Sequence, residues 1–212
     1  MRNLFLTLIL TCLSISALSK NIRDPSYPID PKGWSWFPSF YLQGGTFFRH
    51  GTMASKDDVT IKSRDLYGIG LDGHLGFILL NLNLGVGGEI AKFYQITDPS
   101  EVENSNTAGT KKSTYILLGK NFGRVSLLGK YYVTSNYTFE YANPSGIQGE
   151  LSSPNASYSV ELTYHVDGDI FMSLSLNNIT YKEYNLPTSS VALTEDSTST
   201  LKTYGFVIGY IF

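Results

Sequence analysis

Few side chains in this sequence could do chemistry. Histidine occurs at His50, His74 and His165, and the one cysteine is Cys12. Glu161, Ser173 and Ser175 lie near His165, and acyl transfer needs an acid, a base and a hydroxyl of this kind. A hairpin through this stretch pairs Thr163 with Ser173 and His165 with Phe171, which offsets the hydroxyl from its base. Asp72 and His74 share one strand face, but no third ligand joins them to complete a metal site. No catalytic residue, metal or cofactor is therefore expected. An internal network of paired charges accounts for the same residues.

The 212 residues suit a single domain, and the formal charge of −2 comes without any long like-charge run. Nucleic acid is not an expected partner, because phosphate recognition needs a concentrated basic patch. The segment MRNLFLTLILTCLSISALSK has a positive start at Arg2, an apolar core and small residues at Ala17 and Ser19. It reads as an export signal over 1–19, too short to span a bilayer as a helix. Cys12 falls inside it, and the preceding Ile-Leu-Thr fits a lipid-attachment site poorly. The mature chain then has no thiol. Asn136, Asn155 and Asn178 begin Asn-x-Ser/Thr triplets, which chance explains in a chain rich in both residue types. Residues 20–35, with Pro25, Pro28 and Pro31, read as an extended periplasmic lead-in to a domain over 36–212.

From Trp36 onward the hydrophobic pattern has period two, the spacing of strands. Eight strands are expected near 36–49, 64–77, 80–93, 113–121, 124–137, 158–167, 170–181 and 200–212. Long polar connections near 50–63, 94–112, 138–157 and 182–199 alternate with tight ones at Ile78-Leu79, Asn121-Phe122-Gly123 and Asp167-Gly168-Asp169. The tight turns pair Phe77 with Leu80 and Val166 with Ile170. On the apolar face lie Tyr115, Leu117 and Gly119 in strand 4, and Val125, Leu127, Tyr131, Val133 and Tyr137 in strand 5. The other face carries Arg49, Arg64, Asp72, His74, Glu89, Lys120, Arg124, Lys130, Glu161, His165 and Asp167. Lys120 and Arg124 face each other across a turn, with Glu161 and Asp167 as their acidic partners.

Alternation alone does not say which face meets solvent, since a soluble barrel with an apolar lumen alternates too. The apolar faces are free of charge along their middles, with Asp65 and Lys202 only at the loop-side ends. Aromatics fall where two girdles belong: Phe48, Tyr67, Tyr115, Tyr137, Tyr158 and Tyr204 near the long loops, Trp36, Phe77 and Phe212 near the short turns. The expected fold is all-β: an eight-stranded antiparallel up-and-down transmembrane barrel, with short periplasmic turns, long extracellular loops and mixed charges pairing in the lumen.

The whole mature chain resembles small Gram-negative outer-membrane barrels of the OmpX, OmpA transmembrane-domain, OmpW and opacity-protein type. The last strand carries the likeness, with Tyr204, Phe206, Ile208, Tyr210 and Phe212 on one parity. The resemblance implies that these residues form the signal read by the barrel-assembly machinery. It also implies an outer-membrane location, contact with membrane lipid and lipopolysaccharide, and a structural or surface-interaction role with an unidentified ligand at the loops. A narrow channel for small apolar or zwitterionic solutes is the alternative. A lipid A-modifying enzyme is a further one, although SLSLNNITYKEYN holds no histidine where deacylases of this size carry His-x-Ser-Asn.

Overall fold

The computed structural model describes residues 39–57, 60–95, 108–139, 149–167, 169–186, 189–192 and 198–212. The expected signal, the lead-in and Trp36 lie outside the described residues. The strands are β1 (Ser39–Asp57), β2 (Thr60–Leu79), β3 (Leu82–Gln95), β4 (Gly109–Phe122), β5 (Val125–Phe139), β6 (Glu150–Asp167), β7 (Ile170–Leu186), β8 (Ser189–Ala192) and β9 (Ser199–Ile211).

Each strand from β1 to β7 pairs antiparallel with the next, β7 also pairs with β9, and β9 pairs with β1. This closes an eight-stranded barrel, with β8 attached outside the ring to the end of β7. Closure reaches the last residue. The Phe212 amide donates to Leu42 O at 2.7 Å, and the Leu42 amide donates back to Phe212 O at 3.3 Å.

Register fixes the tilt. Partners lead from Phe77 through Leu84, Leu118, Gly129, Val160, Leu176, Tyr204 and His50 back to β2 at Tyr67. One circuit thus slips by the ten residues between Phe77 and Tyr67. With ordinary strand spacings, that slip inclines the strands by about 40° to the axis.

The bulky apolar side chains point outward, with Leu118 60% and Leu176 64% exposed. Aromatic rings border this belt. Tyr67 stacks on Tyr94 at 5.6 Å and Tyr204 meets His50 at 5.3 Å on the loop side. Phe40 meets Phe77 at 6.2 Å and Tyr210 meets Phe212 at 5.0 Å on the short-turn side. A surface this apolar belongs in hydrocarbon, and a closed ladder leaves no backbone edge for lipid to meet.

Several expectations need correction. Strand 4 has the opposite parity: Tyr115 and Leu117 are buried, while Ile116, Leu118 and Lys120 face out. Apolar residues occupy both parities of TYILLGK, so alternation there does not choose a face, and lumen packing does. Lys120 is thus outside the lumen, its ammonium 5.5 Å from the Phe122 ring, and its strand partner is Leu127 rather than Arg124. Arg124 is exposed in a two-residue turn whose Gly123 has φ of 66°.

Strand 5 changes parity. Thr114 pairs with Thr134 and Tyr115 with Tyr132, which leaves Val133 as the extra residue of a bulge. Tyr137 is consequently buried in the lumen rather than in a girdle, and Thr134 faces out. The first tight turn is Leu80-Asn81, not Ile78-Leu79, so Phe77 pairs with Leu84. Leu80 and Asn81 have φ of 52° and 66°, as a hairpin turn that matches strand twist requires. Asp167 pairs with Ile170 and His165 with Phe171, which makes Val166 a bulge residue rather than the partner of Ile170. The first long connection is largely strand, since β1 and β2 remain paired to Asp57 and Thr60.

The outward parity of β9 carries a direct test. Ile208→Arg places a charge near mid-belt and is expected to cost about 2–4 kcal/mol of folding free energy in bilayers. Val207→Thr, on the lumen side opposite Ser173, is expected to cost about 1 kcal/mol. Urea titration of the barrel refolded into vesicles measures both, and equal losses would contradict the assigned faces.

Candidate functional site

The lumen is where the charged residues converge. Each of β1 to β6 sends one ionised group inward at mid-height: Arg49, Asp72, Glu89, Lys111, Lys130 and Glu161. Arg49 Nη1 lies 2.7 Å from Glu89 Oε2, and Lys111 Nζ contacts the other oxygen of the same carboxylate. Lys130 Nζ lies 2.6 Å from Asp72 Oδ2 and 2.8 Å from Glu161 Oε2. The Tyr115 hydroxyl donates to Asp72 Oδ1. Three cations thus meet three carboxylates in a site closed to water, and the cluster is neutral.

Aromatic faces support the cations. Arg49 lies over Phe47 at 3.8 Å, Lys111 over Tyr132 at 4.8 Å and Lys130 over Tyr115 at 4.8 Å. Glycine makes the room. A Cβ on Gly87 would lie 2.5 Å from His74 Cβ and 2.6 Å from the Tyr115 hydroxyl, so a side chain there would displace the ring that holds Asp72.

Two further layers of buried side chains lie in the lumen. Near the short turns, Asn83 Nδ2 donates to Asn121 Oδ1. Ser126 Oγ also donates to Asn121 Oδ1, at 2.7 Å, and meets His165 Nε2 at 3.0 Å. Towards the loops, Met53, Leu66, Phe93, Tyr137, Ile179 and Leu201 are buried together. Phe93 and Tyr137 are 6.0 Å apart, and the Tyr181 hydroxyl meets Ser135 Oγ at 3.2 Å.

Among the residues expected from sequence, Arg49, Asp72, Glu89, Lys130 and Glu161 come together. His74 is buried beside them, its ring 5.5 Å from Tyr41 and 6.5 Å from Tyr115. His165 joins the short-turn layer instead, and Lys120 and Arg124 join neither. The side chains of Arg64 and Asp167 lie outside those described. Lys111 was not anticipated, because KKST reads as polar loop. Its signal was the alternation of Lys111, Ser113, Tyr115 and Leu117 on one parity.

Nothing assembles a triad from Ser173, His165 and Glu161. Ser173 Oγ pairs with Thr163 at 2.8 Å, His165 with Ser126, and Glu161 with Lys130. Ser126 spends its proton on Asn121, so the histidine donates to it rather than activating it. Among the described residues no group of three or more His, Cys, Asp or Glu side chains could hold a metal. Asp72 is occupied by Lys130 and Tyr115.

No protein-family model matches the sequence, and no curated protein does. Solved structures are similar in fold. Neisserial surface protein A is 13% identical, with a TM-score of 0.44 over 81% of this chain and 98% of that one. The attachment invasion locus protein Ail of Yersinia pestis is 14% identical, with a TM-score of 0.43 over 81% of this chain and 99% of that one. The outer membrane protease OmpT of Escherichia coli is 12% identical, with a TM-score of 0.36 over 86% of this chain and 99% of that one.

Removing one member of a buried ionic cluster strands its partners. Glu89→Leu leaves Arg49 and Lys111 without their shared carboxylate and is expected to cost about 3–5 kcal/mol. Adding Arg49→Met and Lys111→Met should recover most of that loss. Urea midpoints of the single and triple variants in detergent check both, and a triple variant no more stable than the single would contradict the pairing.

Proposed function

We propose that this chain is a bacterial outer-membrane barrel with a closed lumen, acting through its structure and its outer surface rather than by conducting solutes. Envelope integrity, adhesion and contact with host or phage are the roles of this class. The observation that supports the reading most is the filled lumen. A polar layer, a neutral six-charge cluster and an apolar plug follow one another along the axis. An eight-stranded ring is just wide enough for side chains to fill or for one small ligand, and here side chains occupy it. The plug and the charges are therefore the wall's own interior, with no path left for a hydrated solute.

The same reading assigns partners. Membrane lipid and lipopolysaccharide cover the apolar belt. The assembly machinery reads the outward side chains of the last strand, from Tyr204 to Phe212. A ligand meets the loops, where β1, β2, β6 and β7 continue beyond the belt.

Planar-bilayer recording separates this reading from the channel alternative. Purified protein is expected to insert without unitary current, and steady single-channel steps from the wild-type barrel would overturn the proposal. The variant carrying Phe93→Ala, Tyr137→Ala and Lys130→Ala removes parts of two layers and is expected to conduct.

A further inference from the structure

The outer wall carries a trough that the packing of the barrel requires only in part. Gly44, Gly73, Gly88, Thr114 and Thr134 are successive strand partners across β1 to β5, and all face outward. The partner row on one side is Leu75, Val86 and Ile116, and on the other Leu71 and Ile90. These side chains stand as banks above a floor that has no side chain at Gly44, Gly73 and Gly88. The floor opens into a groove of about 890 Å³ bordered by Leu71, Gly73, Gly88, Ile90 and Thr134.

Inward and outward glycines differ in cause. A Cβ on lumen-facing Gly45 would lie 2.6 Å from Ile208 O, so the fold excludes it. A Cβ on Gly73 would find its nearest neighbour at 3.5 Å and one on Gly44 at 3.8 Å, ordinary contacts, and neither residue has a positive φ. Larger residues would fit at both positions, so the barrel itself gives no reason for the gap there, whereas a Cβ on Gly88 would press on Ser113 O at 3.1 Å.

Because the strands are tilted, the row climbs as it crosses them. Its glycine end lies within the apolar belt and its threonine end reaches the loop-side border. From Gly44 on β1 to β4, which carries Lys112, the row spans about 14 Å, much of the length of an extended acyl chain. The upper end is polar. Thr114 and Thr134 pair hydroxyl to hydroxyl at 2.7 Å. Glu150, the acidic group at this end, accepts from Asn136 at 3.0 Å and Thr138 at 3.1 Å. Lys112, the strand partner of Ile90 and Asn136, is exposed on the rim, with no ion pair or hydrogen bond among the described residues.

We propose that the trough holds one phosphate-bearing lipid of the bilayer, its acyl chain along Gly73 and Gly88 and its phosphate against the Lys112 ammonium. This rests on the membrane reading above. The occupant follows from position and charge. The groove is continuous with the belt that hydrocarbon covers, so a chain of the bilayer fills it without leaving its solvent. The rim ammonium sits at headgroup depth, where a phosphate neutralises it.

The test reconstitutes the full barrel in vesicles of phosphatidylglycerol and phosphatidylcholine, extracts it, and weighs retained lipid by native mass spectrometry. Gly73→Leu fills the floor, and Lys112→Gln removes the charge. Gly129→Leu is the control, an outward glycine in another row whose Cβ would lie 3.5 Å from Leu118 O. Wild type and Gly129→Leu are expected to keep a phosphatidylglycerol that Gly73→Leu holds roughly tenfold more weakly. Lys112→Gln is expected to keep lipid but lose the preference for phosphatidylglycerol. Equal retention by Gly73→Leu and Gly129→Leu would overturn the lipid site while heat-shifted gel mobility left the membrane barrel standing. A wild-type dimer that Gly73→Leu splits would assign the trough to a second copy instead. Loss of heat-shifted mobility in the wild type would overturn both readings together.

Discussion

A sheet whose outer face meets hydrocarbon has no solvent to satisfy a free edge. Each unpaired amide or carbonyl there costs several kcal/mol, so the ladder must close on itself. In this chain the joint is β1 with β9, and it runs to the final residue, where Phe212 and Leu42 exchange both hydrogen bonds. Closure then dictates the rest. Eight strands with a ten-residue slip fix the radius, the radius fixes the lumen, and the lumen must be filled by whatever the inward parity supplies.

What it supplies is partly ionic, although burying charges is costly. Six charged groups at one level are tolerable because each has an opposite partner and the cluster sums to zero. The apolar cluster above them and the Asn–Ser–His layer below bury these groups, and pairing is stronger where the surroundings are of low dielectric. Hydrophobic residues could fill the same space at less risk. Ion pairs add selectivity: Arg49 of β1 reaches Glu89 of β3, and Lys130 of β5 reaches Asp72 of β2, so these two bridges check strands that are not neighbours. A slip of one residue in any of them would turn its charge into the lipid and leave its partner unpaired.

The period-two pattern made the strand count, the closed all-β architecture and most outward faces legible in the sequence. The last strand was the clearest, because Tyr204, Phe206, Ile208, Tyr210 and Phe212 share one parity and Gly205, Val207 and Gly209 fall on the other. Legibility failed where both parities are apolar, as in TYILLGK, and where a bulge adds a residue. Val133 reverses the faces of Ser135 and Tyr137, and nothing in VTSNY announces it. The lumen was half readable for the same reason. Asp72, Glu89, Lys130 and Glu161 stand out as charges among apolar neighbours. Lys111 hides in a polar run, and Lys120 looks inward only if the parity of its strand is misread.

Glycine shows how one residue type records two unrelated constraints. Gly45, Gly87 and Gly209 are set by what stands opposite them inside: a backbone carbonyl, a histidine beside a tyrosine, and the Phe171 ring. Their absence of a side chain is the complement of a large neighbour, and a one-atom change there disturbs the fold. Gly44 and Gly73 answer to nothing inside the molecule, since each has room for a Cβ. A wall that presents mainly Leu, Val, Ile and aromatic rings to its solvent is interrupted there by three glycines that are strand partners in one row. The period-two pattern cannot separate the two kinds, because both read as small residues in a strand. The register separates them, because it reveals which glycines are neighbours.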